Sequence, residues 1–153
     1  MINLKPLTKD DLQFLLEIRN DDSTRFYLED DSIFTLNECE KWFDSLTSPW
    51  YIIEINKNKV GYIRTHKDEV GCDIHPKFRR KGYAKMAYEI YLKDKKYATL
   101  KVFKDNFALN LYKSLGFKQN KELRFVRFDR SISFSGESAI PNSFRLLNSE
   151  KSN

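Results

Sequence analysis

Arg79-Arg80-Lys81-Gly82-Tyr83-Ala84 is the stretch on which the fold turns. Upstream lies a short apolar run, Val70 to Ile74, closed by Pro76. Downstream, Ala84, Ala87, Tyr88, Ile90 and Tyr91 recur at helical spacing. The order is therefore strand, short loop, helix. The first turn of a helix leaves backbone N–H groups without intrahelical partners, and a glycine at its entrance permits a tight turn and close approach. An anion, most simply a phosphate, satisfies those donors and gains from the helix dipole. The same basic residues also suit a solvated surface. A single Gly82 matches neither a phosphate loop ending in Gly-Lys-Ser/Thr nor a three-glycine dinucleotide fingerprint.

Moving outward toward the C-terminus, Tyr97 to Phe103 alternates as a strand after the charged turn Asp94-Lys95-Lys96. Strand, crossover helix and strand favour parallel pairing of 70–75 with 98–103. Asn106 can cap a further helix that carries Ala108, Leu111, Tyr112 and Leu115 and stops at Gly116. Residues 123–130 make a last strand. From Ser131 onward serine, asparagine and glycine accumulate, so a domain over residues 1–130 and a weakly held tail over 131–153 are expected.

Toward the N-terminus, strands at 51–55, 59–64 and 69–75 with short connections at 56–58 and 65–68 form an antiparallel meander. Ile2 to Lys5 alternates as a short strand before Pro6. Thr8 with Asp11, and Thr35 with Glu38, are capping boxes that open two helices. Their apolar faces are Leu12, Leu15, Leu16 and Ile18 in the first, and Cys39, Trp42, Phe43 and Leu46 in the second. Residues 21–34 have no clean period. Asp21, Asp22, Glu29, Asp30 and Asp31 stand there beside Phe26, Tyr27, Leu28, Ile33 and Phe34. They suit a pocket for a cationic or hydroxylated ligand, and equally a solvated linker docked by its aromatics.

The composition narrows the classes. A chain of 153 residues with 41% hydrophobic content builds one sizeable core. No apolar run approaches the roughly 20 residues that cross a membrane, and Met1 to Leu7 lacks a secretory pattern. Cys39 and Cys72 make neither a disulfide framework nor a metal cluster, which points to a reducing compartment, the cytoplasm. Neither has a local His or a helix start to generate a thiolate, so a covalent mechanism is disfavoured. His66 and His75 are isolated, so no metal is expected. A net charge of +5 suits an anionic ligand. Without a helix-turn-helix, zinc or RNA-binding signature, nucleic acid is not an expected partner.

Asn106-Phe107-Ala108-Leu109-Asn110-Leu111-Tyr112-Lys113-Ser114-Leu115-Gly116-Phe117, taken with Arg79-x-x-Gly82-x-Ala84, resembles the GCN5-related N-acetyltransferase (GNAT) superfamily over most of residues 2–130. The resemblance implies a mixed α/β fold whose central sheet is splayed at an acyl-CoA site and flanked by four helices. It implies acetyl-CoA as cofactor and CoA as product. Arg79, Arg80, Lys81, Gly82, Tyr83 and Ala84 would take the pyrophosphate, Cys72, Asp73 and Ile74 the pantetheine arm, and Asn106 a further cofactor contact. Transfer would be direct: a neutral amine attacks the thioester, amides near Asp73 or Ile74 receive the oxyanion, and Tyr112 protonates the leaving thiolate. By residue type and position alone, Tyr112 also reads as a packing residue on a helix face. Glu69 is the expected base, with His75 or a water relay as alternatives.

On the acceptor side Arg19, Asn20, Arg25 and Tyr27 are the candidate substrate residues. Their setting looks like that of enzymes acetylating nucleotide-linked amino-deoxysugars, where an arginine could meet a nucleotide phosphate. Arg19 pairing with a neighbouring aspartate is the competing account. Protein N-terminal acetylation and a non-catalytic acyl-CoA-binding module are the alternative functions. Many relatives are dimers, so a homodimer is among the expected states.

Overall fold

The computed structural model describes residues 1–26, 28, 30–102, 109–119 and 126–131. The expectations at Tyr27, Asn106, residues 123–125 and the tail after Ser131 lie outside the described residues. In chain order the elements are β1 (Ile2–Pro6), α1 (Leu12–Arg19), α2 (Asp22–Arg25), α3 (Leu36–Asp44), β2 (Tyr51–Ile55), β3 (Asn58–His66), β4 (Glu69–Ile74), α4 (Tyr83–Leu92), β5 (Tyr97–Val102), α5 (Leu109–Ser114), β6 (Phe117–Gln119) and β7 (Val126–Ser131). They form the expected mixed α/β architecture. The strands lie in one sheet of order β1-β2-β3-β4-β5-β7-β6, antiparallel throughout except for β4 beside β5.

Local chemistry sets the boundaries. Asn56 and Lys57 have φ of 49° and 71°, the doubly left-handed turn that matches strand twist in a two-residue hairpin. Asn58 therefore already belongs to β3. The expected connection at 65–68 is shorter than the sequence suggested. Thr65 pairs with Val70 and His66 with Glu69, so β3 runs through His66. Thr65 Oγ1 donates to the Pro49 carbonyl at 2.5 Å, and its own carbonyl accepts from Trp50 Nε1 at 3.1 Å. Both capping boxes form. Thr8 N–H donates to Asp11 Oδ2 at 2.9 Å, opening a 3-10 turn that leads into α1. Thr35 and Glu38 exchange bonds of 2.9 and 3.1 Å at the start of α3.

Residues 21–34, which show no period, contain the one-turn helix α2. Asp21 caps it by accepting from Ser23 N–H at 3.0 Å. Gly116, with φ of 94°, ends the α5 region and turns the chain straight into β6, a strand that the sequence pattern did not separate. β7 reaches Ser131, one residue past the expected domain end.

The sheet is covered on both faces. On one, Ile53, Ile63, Val70 and Leu100 pack with Ala87, Tyr88 and Leu92 of α4 and Tyr112 of α5. On the other, Ile52 and Tyr62 pack with Leu12, Leu15, Leu16 and Ile18 of α1 and Cys39 of α3. Burial of such side chains contributes about 1.5–3 kcal/mol each.

β4 and β5 share register only at Glu69 and Thr99, where Thr99 N–H donates to the Asp68 carbonyl at 2.8 Å. Beyond that point each strand stays with its antiparallel neighbour. β4 follows β3 to Ile74, and His75 N–H donates to the Val60 carbonyl at 2.8 Å. β5 follows β7 along its whole length. The two strands diverge, and the sheet opens between them.

Candidate active site

The opening is a cavity of about 730 Å³. Strand alternation sends Gly71 and Asp73 to one face of β4 and Val70, Cys72 and Ile74 to the other, yet all five border the cavity. It therefore passes through the sheet rather than lying on one side. Tyr88 and Tyr112 border it on the face of α4 and α5. Ser23, Thr24 and Phe26 border it from the α2 region.

At one mouth stands the N-terminus of α4. Gly82 is its cap residue, in the left-handed region with φ of 80°, and supplies no side-chain cap. Arg80 is left-handed as well, with φ of 62°. A Cβ at Gly82 would meet nothing within 4 Å. Glycine is needed here for the dihedral, and the space in front of the helix amides is open. Arg80, Lys81 and Gly82 are exposed, while Tyr83 and Ala84 are half-buried.

Arg79 is built into the framework. Its Nε donates to the Ile74 carbonyl at 2.9 Å, Nη1 to Ser23 Oγ at 2.6 Å and Nη2 to Thr24 Oγ1 at 2.8 Å. The side chain joins the end of β4 and the α4 loop to α2.

Tyr112 is buried on α5 and borders the cavity. Burial pushes its phenol up, with the neighbouring Tyr88 hydroxyl partly offsetting this, to about 12. The rings of Tyr88 and Tyr112 meet edge to face, 5.8 Å apart at 89°. Cys72 borders the cavity too, but burial holds its thiol well above the usual range, and burial likewise raises Cys39. Neither is a thiolate near neutral pH.

Asp73 both meets a partner and reaches the cavity. Its Oδ2 accepts from Arg64 Nε at 2.9 Å. Arg64 lies across from Gly71 in the β3–β4 register, and a Cβ on Gly71 would collide with the Arg64 guanidinium. The missing side chain is the bed on which the guanidinium rests.

The remaining candidates lie apart from this centre. Arg19 donates to the backbone carbonyls of Asp30 and Ser32 at 2.5 and 3.1 Å and stacks 4.9 Å over Phe34. Asn20 clasps Phe34 through both its carbonyl and its amide, at 2.8 and 3.0 Å. Arg25 donates to the Asp31 carbonyl at 2.9 Å and pairs with Asp22 at 2.5 Å. These three polar side chains shape the chain between α2 and α3. Glu69 is half-buried at the paired end of β4 and β5, outside the cavity lining. His75 Nδ1 accepts from Lys77 N–H at 3.1 Å, and its Nε2 faces Glu17 at 3.3 Å.

Sequence reasoning passed over Arg64 and Tyr88. Tyr88 sits among the apolar positions of α4. Arg64 ends what reads as an ordinary strand, and its one signal, a glycine across the hairpin at position 71, is visible only once the register is known.

Residues 47–119 match the family profile described as an acetyltransferase (GNAT) domain. The fold recurs in solved structures. A domain from Methanocaldococcus jannaschii is 22% identical, with a TM-score of 0.75 over 84% of this chain and 97% of that one. A spermidine N-acetyltransferase from Vibrio cholerae, in complex with CoA and spermine, is 19% identical, with a TM-score of 0.71 over 84% and 94%. A ribosomal-protein-alanine N-acetyltransferase from Brucella melitensis is 17% identical, with a TM-score of 0.68 over 84% and 99%. Comparison with curated proteins gives no match. The chain has the GNAT acetyltransferase fold.

Proposed function

We propose that this chain is an acetyl-CoA-dependent N-acetyltransferase acting directly on the amine of a small acceptor. The observation that carries this reading is the parting of β4 and β5 onto a cavity that crosses the sheet, with the Tyr112 phenol beside it. Acetyl-CoA supplies an activated acetyl thioester. The open, uncapped start of α4 at Gly82 fits its pyrophosphate, with Arg80 and Lys81 exposed alongside. The Cys72–Ile74 edge that β5 leaves without a ladder partner offers backbone groups to an extended amide-bearing arm.

In this proposal Tyr112 donates the proton to the departing sulfur. Asp73 is the one acidic side chain bordering the cavity among the described residues, and Arg64 already holds it. Glu69, away from the cavity, takes the amine's proton through intervening water. Asn106 stays in the proposal as a cofactor contact on the strength of the sequence motif, and Tyr27 as an acceptor contact on that of the acidic and aromatic stretch it belongs to. Arg19, Asn20 and Arg25 serve the acceptor by shaping the loop they clasp.

A nucleotide-linked amino-deoxysugar is the acceptor we propose. Phe26, 53% exposed and on the cavity lining, offers a flat ring for a sugar or base to stack on. The test is a mass-spectrometric transfer screen with acetyl-CoA, covering nucleotide-linked 3- and 4-amino-deoxysugars, free amino sugars, polyamines and short peptides. New acetyl mass on a sugar amine with release of CoA is the expected result. Transfer to peptide N-termini alone would overturn the acceptor, and failure of the folded protein to bind acetyl-CoA in a calorimeter would overturn the whole reading.

A further inference from the structure

Arg64 borders the cavity and is held through its Nε. It occupies the face of the sheet that carries α1 and α3, because it lies across from Gly71, two residues before Asp73, whose own partner Tyr62 packs with Leu12, Leu16 and Ile18. That face is opposite α4 and its phosphate-binding start. A bond through Nε to Asp73 fixes the guanidinium, and the flat of the group rests on the Gly71 backbone. Its side chain is 33% exposed, against 13% for Asp73. Among the described residues no protein acceptor engages Nη1 or Nη2. The other arginine near α2, Arg79, commits each of its three nitrogens to the framework, at Ile74, Ser23 and Thr24. Arg80 and Lys85, also on the lining, flank the start of α4.

A half-buried guanidinium on a cavity lining, held through Nε with both Nη groups without a protein acceptor among the described residues, is preorganised for a forked oxyanion. Its rotamer freedom is already spent on Asp73 and Gly71, so little further ordering opposes binding. A guanidinium has donors only, so a purely cationic acceptor gains nothing from Arg64, and an acceptor with an anionic group gains charge-assisted bonds to its Nη groups.

We propose that Arg64 is the specificity determinant of the acceptor site, and that the acceptor carries an oxyanion, a carboxylate or a phosphate, within reach of the amine that is acetylated. This rests on the acetyltransferase reading and narrows its substrate class. It accommodates a nucleotide-linked amino sugar through its phosphates and an amino acid through its carboxylate.

The experiment uses matched pairs of amines with the full-length protein and saturating acetyl-CoA. One arm compares an α-amino acid with its amide, a second compares an amino-sugar phosphate or nucleotide-linked amino sugar with the free amino sugar, and spermidine serves as the cationic control. In at least one arm the anionic member is expected to have a kcat/KM roughly tenfold or more above its neutral partner, the arm identifying carboxylate or phosphate. Arg64→Gln should bring that ratio close to one and leave acetyl-CoA affinity by calorimetry unchanged. Arg64→Lys keeps the charge without the fork and should fall between them, which also covers the case in which the glutamine variant fails to fold.

A wild-type preference for neutral or cationic members, or a ratio that survives Arg64→Gln, overturns the proposal. If acetyl-CoA binds and no amine is acetylated, the acetyltransferase reading fails by itself. The anchor is then decided by titrating inorganic phosphate and propionate into the CoA-saturated protein. An NMR shift of the Arg64 side-chain signal supports it, and an unmoved signal overturns it.

Discussion

Asp11 is 1% exposed and carries a full set of donors. Lys59 reaches Oδ1 at 2.7 Å, Lys5 reaches Oδ2 at 3.1 Å, and Thr8 gives its N–H and hydroxyl at 2.9 and 3.0 Å. Burial opposes the charge, but the bonds from Lys59, Thr8 and Lys5 outweigh it and lower the carboxyl to about 2. A pKa depressed in the folded state contributes stability that is present above the unfolded value of about 4 and lost as pH falls through the folded one. Asp11→Asn should cost about 2 kcal/mol at neutral pH. In urea melts the gap between wild type and variant should close between about pH 4 and pH 2. Tyr112 tests the chemistry at the same scale. Its phenol stays protonated up to about 12, so the proposed acid remains loaded throughout the working range. Tyr112→Phe should lower turnover by about 10²-fold with acetyl-CoA affinity unchanged, measured where the chemical step limits the rate.

At the scale of elements, helix starts were the most legible part of the chain, because a cap and its partner sit three residues apart and report on one another. Thr35 with Glu38 announces α3, and Gly82 announces α4. That β4 and β5 run parallel was equally open to inference, since a crossover helix leaves few alternatives, but the ladder expected along 70–75 and 98–103 is confined to Glu69 and Thr99. Arg19 and Asn20 were not legible in the same way. They looked free to meet a ligand, and they bind backbone carbonyls 11 to 14 residues further on, a contact made by chain reversal that leaves no periodic trace. Arg64 hid for a related reason, as its bed at Gly71 is adjacent only across a hairpin. Gly82 offers a direct test of the α4 start. With φ of 80° and no neighbour within 4 Å of a built Cβ, Gly82→Val is strained by its backbone rather than by crowding, at about 1–2 kcal/mol. Thermal stability should fall modestly, and calorimetry should show acetyl-CoA binding weakened by more than that loss alone gives.

For the molecule as a whole, Arg79 joins parts that the sequence holds far apart. The end of β4, the loop before α4 and the helix α2 meet in one guanidinium. Arg79→Met keeps the bulk and removes all three bonds. Hydrogen exchange of backbone amides over residues 21–26 should then speed up, while α3 and β2, which Arg79 does not touch, should keep wild-type protection. An exchange rate over 21–26 equal to wild type would show that α2 is held by its own packing.

A gap that pierces the sheet from face to face gives the protein two doors. One opens beside the start of α4, the other beneath α2. Under the proposed chemistry each reactant enters and leaves by its own door, and neither product has to wait for the other to clear the way. Steady-state kinetics should therefore show CoA competing with acetyl-CoA but not with the amine, and the acetylated product competing with the amine but not with acetyl-CoA, the traffic pattern of random passage through a two-way opening.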